Sequence, residues 1–477
     1  MRRLSLLVPL ALAGSLLAPA AAEPVRAHAV VALIDTGINP YSLAFRDDSA
    51  LAQQHPSAYL PGYPPECDDE GTVVPCSRRL DLALDAATFE DAFEVDRGLW
   101  ENLVFPNTLY WIPGTKIVGA ISVGRGGTDC DNGAPAIPPV GGQLRGFFCA
   151  EHTILDDQGH GTMTSSRATA VANSLGADAR VVMIEGLGEF GVTWAADQGW
   201  IDVQSNSWGS LVSTPTGSIP IAFKRAAEKH LVLTASGNGL GFSGVAPTPT
   251  HIQPTMPQGV LIVGAHDNGR VAAWSGAPAH VVTDGYGGYA ARKDSMALPE
   301  PLTGACCSSA SSPYAAGAAA AIALEARRIL SDISVGVHDG VVASGPSGLV
   351  PAGPLSDGTF TLEEWRGLVL ATAEDRPGEG RDDGLLHFTG GPGVPAHPEH
   401  GSGENPFCQF CWTLPIPWTD VPAEVPAYLS IGYGALNERS VALAAAVLAG
   451  EQDLQARPVE DEFYAQDQEL RRALFGA

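Results

Sequence analysis

The sequence predicts an α/β fold: a doubly wound, mainly parallel sheet with helices on both faces. Three observations point to it. Runs such as Ala29 to Ile34, Val181 to Ile184 and Val260 to Val263 are apolar throughout and do not alternate, as expected of strands buried on both faces of a parallel sheet. Helical patterns separate these runs, so strands alternate with helices along the chain. Several runs end in a polar turn, where open α/β sheets gather their functional groups. The length of 477 residues allows two to four domains, or one large α/β domain with insertions.

Met1-Arg-Arg, the apolar run Leu4 to Ala18 and the small residues Ala20-Ala21-Ala22 have the three parts of a secretory signal peptide spanning 1–22. Pro9 and Pro19 interrupt this run, which is too short for a membrane span. The mature chain is expected to be exported, extracellular or periplasmic, with no membrane partner.

The first strand follows at Ala29 and ends at Asp35-Thr36-Gly37. Residues 46–113 read as loop, apart from a helix near Phe89 to Asn102. A short strand starts at Lys116, and a Gly/Pro-rich stretch covers 124–146. Asp156-Asp-Gln-Gly-His-Gly-Thr then leads into a helix of small residues that opens close to His160 and can pack tightly. His160 between two glycines has little local packing to explain it, which favours a functional role. Strands at Ala179 to Glu185 and Val203 to Gly209 follow, then a helix at 219–229. A strand from His230 ends in Ala235-Ser236-Gly237-Asn238, and another begins at Gly259.

The last large element is Thr303 to Ala326, which becomes an almost purely alanine and aliphatic helix through about Arg328. Proline costs nothing in a first turn, so Pro313 is read as the helix start. Ser308, Ser309, Ser311 and Ser312 then lie at or just before that N-terminus. There the free N–H groups and the positive end of the dipole favour developing negative charge. A hydroxyl nucleophile suits such a place; buried N-cap serines are the plainer alternative.

The 27 basic and 53 acidic residues leave a formal charge of −26, which excludes nucleic acid as a natural partner and suits a soluble monomer. Eight cysteines in an exported chain point to disulfides. The spacings suggest Cys67–Cys76 and Cys130–Cys149, and at least one bond from the adjacent Cys306 and Cys307 to Cys408 and Cys411. Cys408-Gln-Phe-Cys411 lies in a Pro/Gly-rich segment and has no second ligand pair, which disfavours redox and zinc roles.

Asp35, His160 and Ser309 thus stand at element ends in that order, with Asn238 before the serine. The chain resembles the subtilisin-like serine proteases, the subtilases, whose triad order this is. Ala32-Leu-Ile-Asp-Thr-Gly is similar to the family's aspartate motif, Gly159-His-Gly-Thr to its histidine motif and Ser309-Ala-Ser-Ser-Pro-Tyr-Ala-Ala-Gly to its serine motif. Ser205-Asn-Ser-Trp-Gly resembles the segment that pairs with substrate backbone, and Ala235-Ser-Gly-Asn the one carrying the oxyanion asparagine. Thr361 to Ala373 resembles the late helix, and Gly432-Tyr-Gly-Ala-Leu-Asn the return before a last helix at about Ser440 to Leu448.

The resemblance implies a serine endopeptidase acting on polypeptides, with catalytic Asp35, His160 and Ser309 and oxyanion donor Asn238. Ser207, Trp208, Gly209, Ala235, Ser236 and Gly237 would bind substrate. The chemistry needs no cofactor, although structural calcium is frequent in the family. One catalytic domain would span 23–450, with insertions at about 46–113, 130–149 and 375–428, followed by an acidic tail at 451–477. Cys307-Ser308 replaces the family's Gly-Thr before the nucleophile, and Ala310 stands where methionine is common, which implies a site less prone to oxidation. Only Glu23 to His28 separate the expected cleavage point from the first strand, leaving no room for the family's propeptide. A catalytically inactive binding protein, or a Cys306 or Cys307 nucleophile, are the alternatives.

Overall fold

The first apolar run becomes the central strand of the main sheet. The computed structural model describes residues 27–68, 75–103, 107–123, 153–156, 158–208, 217–237, 259–267, 270–271, 275, 279–285, 289–301, 308–329, 360, 362–374, 385–387, 424–426, 432–449 and 451. Strand β1 (Ala29–Asp35) is buried along its whole length. The stretch read as loop over 46–113 instead adds two strands to the sheet, β2 (Ser77–Arg79) and β3 (Leu109–Trp111). Three residues are too few for a hydrophobic period to register. Between them lies the expected helix, α1 (Phe89–Trp100), capped by the Thr88 hydroxyl, which accepts from the Asp91 N–H at 3.1 Å.

The chain continues through β4 (Ile117–Ser122), α2 (His160–Ser174), β5 (Ala179–Glu185) and α3 (Glu189–Ala196), a helix not anticipated from the sequence. Next come β6 (Val203–Asn206), α4 (Ser218–Ala227), β7 (Leu231–Ala235), β8 (Val260–Asp267), the short β9 (Arg270–Val271) and β10 (Val281–Asp284). Three helices close the described chain: α5 (Ser308–Ile329), α6 (Leu362–Ala371) and α7 (Glu438–Leu448).

The main sheet runs β10-β8-β7-β6-β1-β5-β4-β3-β2, with β9 paired to β8. Every pair in that order is parallel except β3–β4; β9 also runs antiparallel to β8. β1 and β6 are neighbours, and the chain leaves β1 towards the β2 side of the sheet but leaves β6 towards β7, in the opposite direction. Such a reversal opens a crevice at the carboxyl ends of the strands. Asp35 and Glu185, paired in register, stand at that edge, and Ser207 follows the end of β6.

Alternation along β1 decides which way Asp35 points. Ala29, Val31 and Leu33 pack in one core with Ala168 and Val171 of α2 and the alanines of α5. Val30, Ala32 and Ile34 pack on the opposite face with Ala195 of α3. Asp35 continues the odd series and therefore faces the layer that holds α2 and α5.

Those two helices approach closely because their contact is made of small residues. A Cβ on Gly317 would lie 2.5 Å from the Ala168 carbonyl oxygen, inside contact distance. Ala315, Ala316 and Ala318 to Ala323 are buried all round, as befits a helix enclosed by the core. The far end of α5 is anchored by a buried ion pair: Arg327 Nη2 donates to Asp202 Oδ1 at 2.6 Å. Asp202 Oδ2 also accepts from the Val30 N–H at 2.8 Å, so one carboxylate ties α5, β1 and the start of β6 together.

The expected disulfide Cys67–Cys76 is formed. Cys130, Cys149, Cys306, Cys307, Cys408 and Cys411 lie outside the described residues, as do residues 1–22, where a signal peptide is expected, and the residues beyond 451. Among the described residues no helix is long and apolar enough to cross a membrane.

Candidate active site

The histidine helix begins without a side chain to cap it, because Gly159 is the N-cap. Its free N–H groups are satisfied from elsewhere. Gly161 N donates to Thr36 Oγ1 at 2.9 Å, and Thr162 N donates to Asp156 Oδ2 at 2.7 Å. Asp156 Oδ1 also accepts from Gly159 N at 2.7 Å, Gln158 N at 3.2 Å and Thr36 Oγ1 at 2.9 Å. Thr162 Oγ1 in turn accepts from Asn39 N at 2.9 Å. The loop after β1 and the mouth of α2 are thereby one hydrogen-bonded unit. The approach leaves no space for side chains: a Cβ on Gly161 would sit 2.1 Å from the Gly37 oxygen.

Asp156 was quoted in the sequence pattern without a role, although a carboxylate just ahead of a helix start is the available signal for one. Burial pushes its pKa up, and the hydrogen bonds from Thr162, Gly159 and Thr36 oppose that push without cancelling it.

This scaffold sets His160 against Asp35. His160 Nδ1 lies 2.6 Å from Asp35 Oδ1, and the carboxylate can only accept, so Nδ1 carries the proton. Nε2 is then left as a lone-pair acceptor when the ring is neutral. Asp35 is buried and further fixed by Thr36 N at 2.8 Å and Thr164 Oγ1 at 3.0 Å. The His160 side chain remains 20% exposed. Burial lowers its pKa, but the Asp35 charge and hydrogen bond more than reverse this, and the net shift is upward.

The serine helix differs from expectation at its start. α5 includes Ser308 to Ser312, and Pro313 is inside it, not at its first turn. A proline there has no N–H for the carbonyl four residues back, which is that of Ser309. Ser207 supplies the missing donor: its Oγ gives a hydrogen bond to the Ser309 carbonyl at 2.9 Å. In return Ser309 Oγ donates to the Ser207 carbonyl at 3.2 Å. Ser309 is half-buried, whereas Ser308, Ser311 and Ser312 are buried, and Ser312 Oγ lies 3.1 Å from Ser205 Oγ. Only one of the four hydroxyls is therefore open to a reactant.

The structure brings Asp35 and His160 together and pairs Ser309 with Ser207. Among the described residues no hydrogen bond joins Ser309 to His160; each hydroxyl or ring nitrogen bond goes to the partner just named. Trp208 follows Ser207 and packs its ring against Phe223 at 5.8 Å. Ala235 ends β7, the Ser236 N–H donates to the Val263 carbonyl at 2.8 Å, and Gly237 has a φ of 90° that favours glycine. Asn238 and Gly209 lie outside the described residues.

Met163 of α2 packs against Ala310, the residue after Ser309. Among the described residues no group of three or more His, Cys, Asp or Glu side chains is placed to hold a metal ion.

Residues 149–335 match the model of the subtilase family, Peptidase S8. The match holds both the histidine and the serine helices; Asp35 lies ahead of it. No curated protein matches the chain.

Proposed function

Residues 149–335 carry the subtilase pattern of serine peptidases, and from that premise we propose that the chain is an exported serine endopeptidase using Asp35, His160 and Ser309. The 2.6 Å pairing of His160 with Asp35, at the mouth of the helix layer that also holds Ser309, is the observation that carries this reading. Export is supported by the signal pattern in 1–22 and by the Cys67–Cys76 disulfide, a bond of oxidising compartments.

In the reaction, Ser309 Oγ leaves the Ser207 carbonyl and turns to His160 Nε2, which takes its proton as Oγ attacks a peptide carbonyl. Asp35 holds the ring tautomer and stabilises its charged form. The tetrahedral oxyanion is bound by the Ser309 backbone N–H at the start of α5 and by the Asn238 side-chain amide. Collapse breaks the C–N bond, and His160 delivers the proton to the departing amine. Water then attacks the acyl group by the same route. Substrate extends along Ser207, Trp208 and Gly209 on one side and Ala235, Ser236 and Gly237 on the other. The Ser207 carbonyl freed by Ser309 becomes an acceptor for a substrate N–H.

A fluorophosphonate probe with mass-spectrometric mapping tests this. The expected adduct is on Ser309, and it should form far more slowly in Asp35→Asn and be lost in His160→Ala. An adduct on a cysteine would assign the nucleophile to that thiol. No adduct at all, on folded protein, would favour the catalytically inactive binding protein.

A further inference from the structure

Arg167 lies seven residues beyond His160 on α2, two helical turns on, so the two side chains project from one face. It is only 2% exposed. A guanidinium so buried needs partners, because removing a charge from water without them is costly. Its partners belong to the machinery that carries Ser309. Nε donates to the carbonyl of Ala310 at 2.9 Å, and Nη2 donates to the carbonyl of Asp284 at 2.6 Å. Nη2 also stands 3.5 Å from the Asp284 carboxylate, and the guanidinium carbon lies 5.6 Å from the centre of the Tyr314 ring. Burial presses the Arg167 pKa down, and Asp284 opposes it.

Each partner bears on the nucleophile. Ala310 follows Ser309, and Tyr314 lies on the next turn of α5. Asp284 ends β10 beside Thr283, whose Oγ1 donates to the Ser311 carbonyl at 2.8 Å while Ser311 Oγ donates back to the Thr283 carbonyl at 3.4 Å. The small-residue contact between α2 and α5 would pack without a charge. A buried ion pair is weak evidence for stability but does fix which groups meet.

Resting on the Asp35–His160–Ser309 reading, we propose that Arg167 is a positioning residue for catalysis. It clamps the first turn of α5 and the end of β10 to the helix that carries His160, and so sets how far Ser309 stands from the ring. It touches neither substrate nor reacting atoms. An aliphatic side chain of similar length would fill the volume and lose the clamp. Lysine would keep the charge but not the planar fork that serves two carbonyls at once.

The test is the inactivation of the purified full chain by a fluorophosphonate probe, separated into a maximal rate, kinact, and a half-saturation concentration, KI. Arg167→Met should lower kinact about 10- to 100-fold, the scale of an ångström-sized misplacement, with KI within about twofold. Arg167→Lys should fall between the two. A merely structural arginine would lower thermal stability and leave kinact of the folded fraction unchanged. Folded Arg167→Met with wild-type kinact overturns the inference. Should Arg167→Met not fold, folded Arg167→Lys with wild-type kinact overturns it equally; failure of both to fold would make Arg167 structural and also reject it. A wild-type protein that does not label at Ser309 would instead refute the serine peptidase reading itself.

Discussion

Four hydroxyls stand in the first turns of α5, and exposure separates them. Ser309 is half-buried, while Ser308 and Ser311 are enclosed. Ser309→Ala should abolish probe labelling and peptide cleavage without loss of folding, whereas Ser308→Ala and Ser311→Ala should keep substantial activity; labelling lost with Ser308→Ala alone would shift the nucleophile by one residue. His160 gives a second prediction. Burial lowers its pKa but Asp35 raises it further, and the neutral ring is the base, so the maximal rate should be reached only above the ordinary histidine range near pH 6.5. Asp35→Asn removes the two largest raising causes and leaves burial opposed only by the smaller effect of Asp156, so the limb of the pH–rate profile should move to lower pH as the rate falls. The raised folded-state value also adds stability that is complete below the unfolded pKa and is lost as pH rises through the folded one. Asp156 gives a third. Asparagine has one acceptor oxygen for a site where four donors converge, so Asp156→Asn should destabilise by about 1–3 kcal/mol in urea melts and also slow labelling. Asp35, His160 and Ser309 stood out in the sequence because each sits where an apolar run or a small-residue helix meets a polar turn, and the pairing of the first two is seen in the structure. Asp156 was missed although its place just ahead of a helix start was a signal, since its partners are mostly backbone N–H groups that the sequence does not name.

At the level of elements, long regular segments were legible and short ones were not. Strand Ala179–Glu185 agrees with its sequence pattern residue for residue, and α6 and α7 lie where the late helices were expected. Ser77-Arg-Arg has no apolar pattern at all, yet it pairs with Leu109–Trp111 as an outer strand, because a sheet edge asks for backbone and not for burial on both faces. Reading Pro313 as a helix start placed the element too late for a reason now visible. The carbonyl that proline orphans is satisfied by Ser207, just beyond the end of β6, an interaction far away in sequence. The other end of α5 carries a prediction of its own. Asp202→Ala would leave Arg327 buried without its counter-charge, and should cost about 3–5 kcal/mol in denaturant midpoint analysis. Because Asp202 lies at the strand ends remote from Ser309, the folded fraction should label at the wild-type rate.

For the whole molecule, the parallel, doubly wound architecture was legible because each buried strand had to be apolar on both faces. The order of strands was not, since hydrophobicity marks a strand as interior without naming its neighbours. That order makes β1 the hub: Asp35 pairs with Glu185 on one side, and Ile34 with Asn206 on the other. Both neighbours are made long after β1, and the helix bearing Ser309 later still. Contacts between residues so distant along the chain make for slow folding, because the loop must close before any contact rewards it. A ribosome emits the N-terminal part of the chain first, so Asp35 emerges with neither β5, β6 nor Ser309 yet made. The earliest-made residue of the proposed site therefore waits for the latest, and a chain still leaving the ribosome holds Asp35 without any of the groups it is proposed to act with.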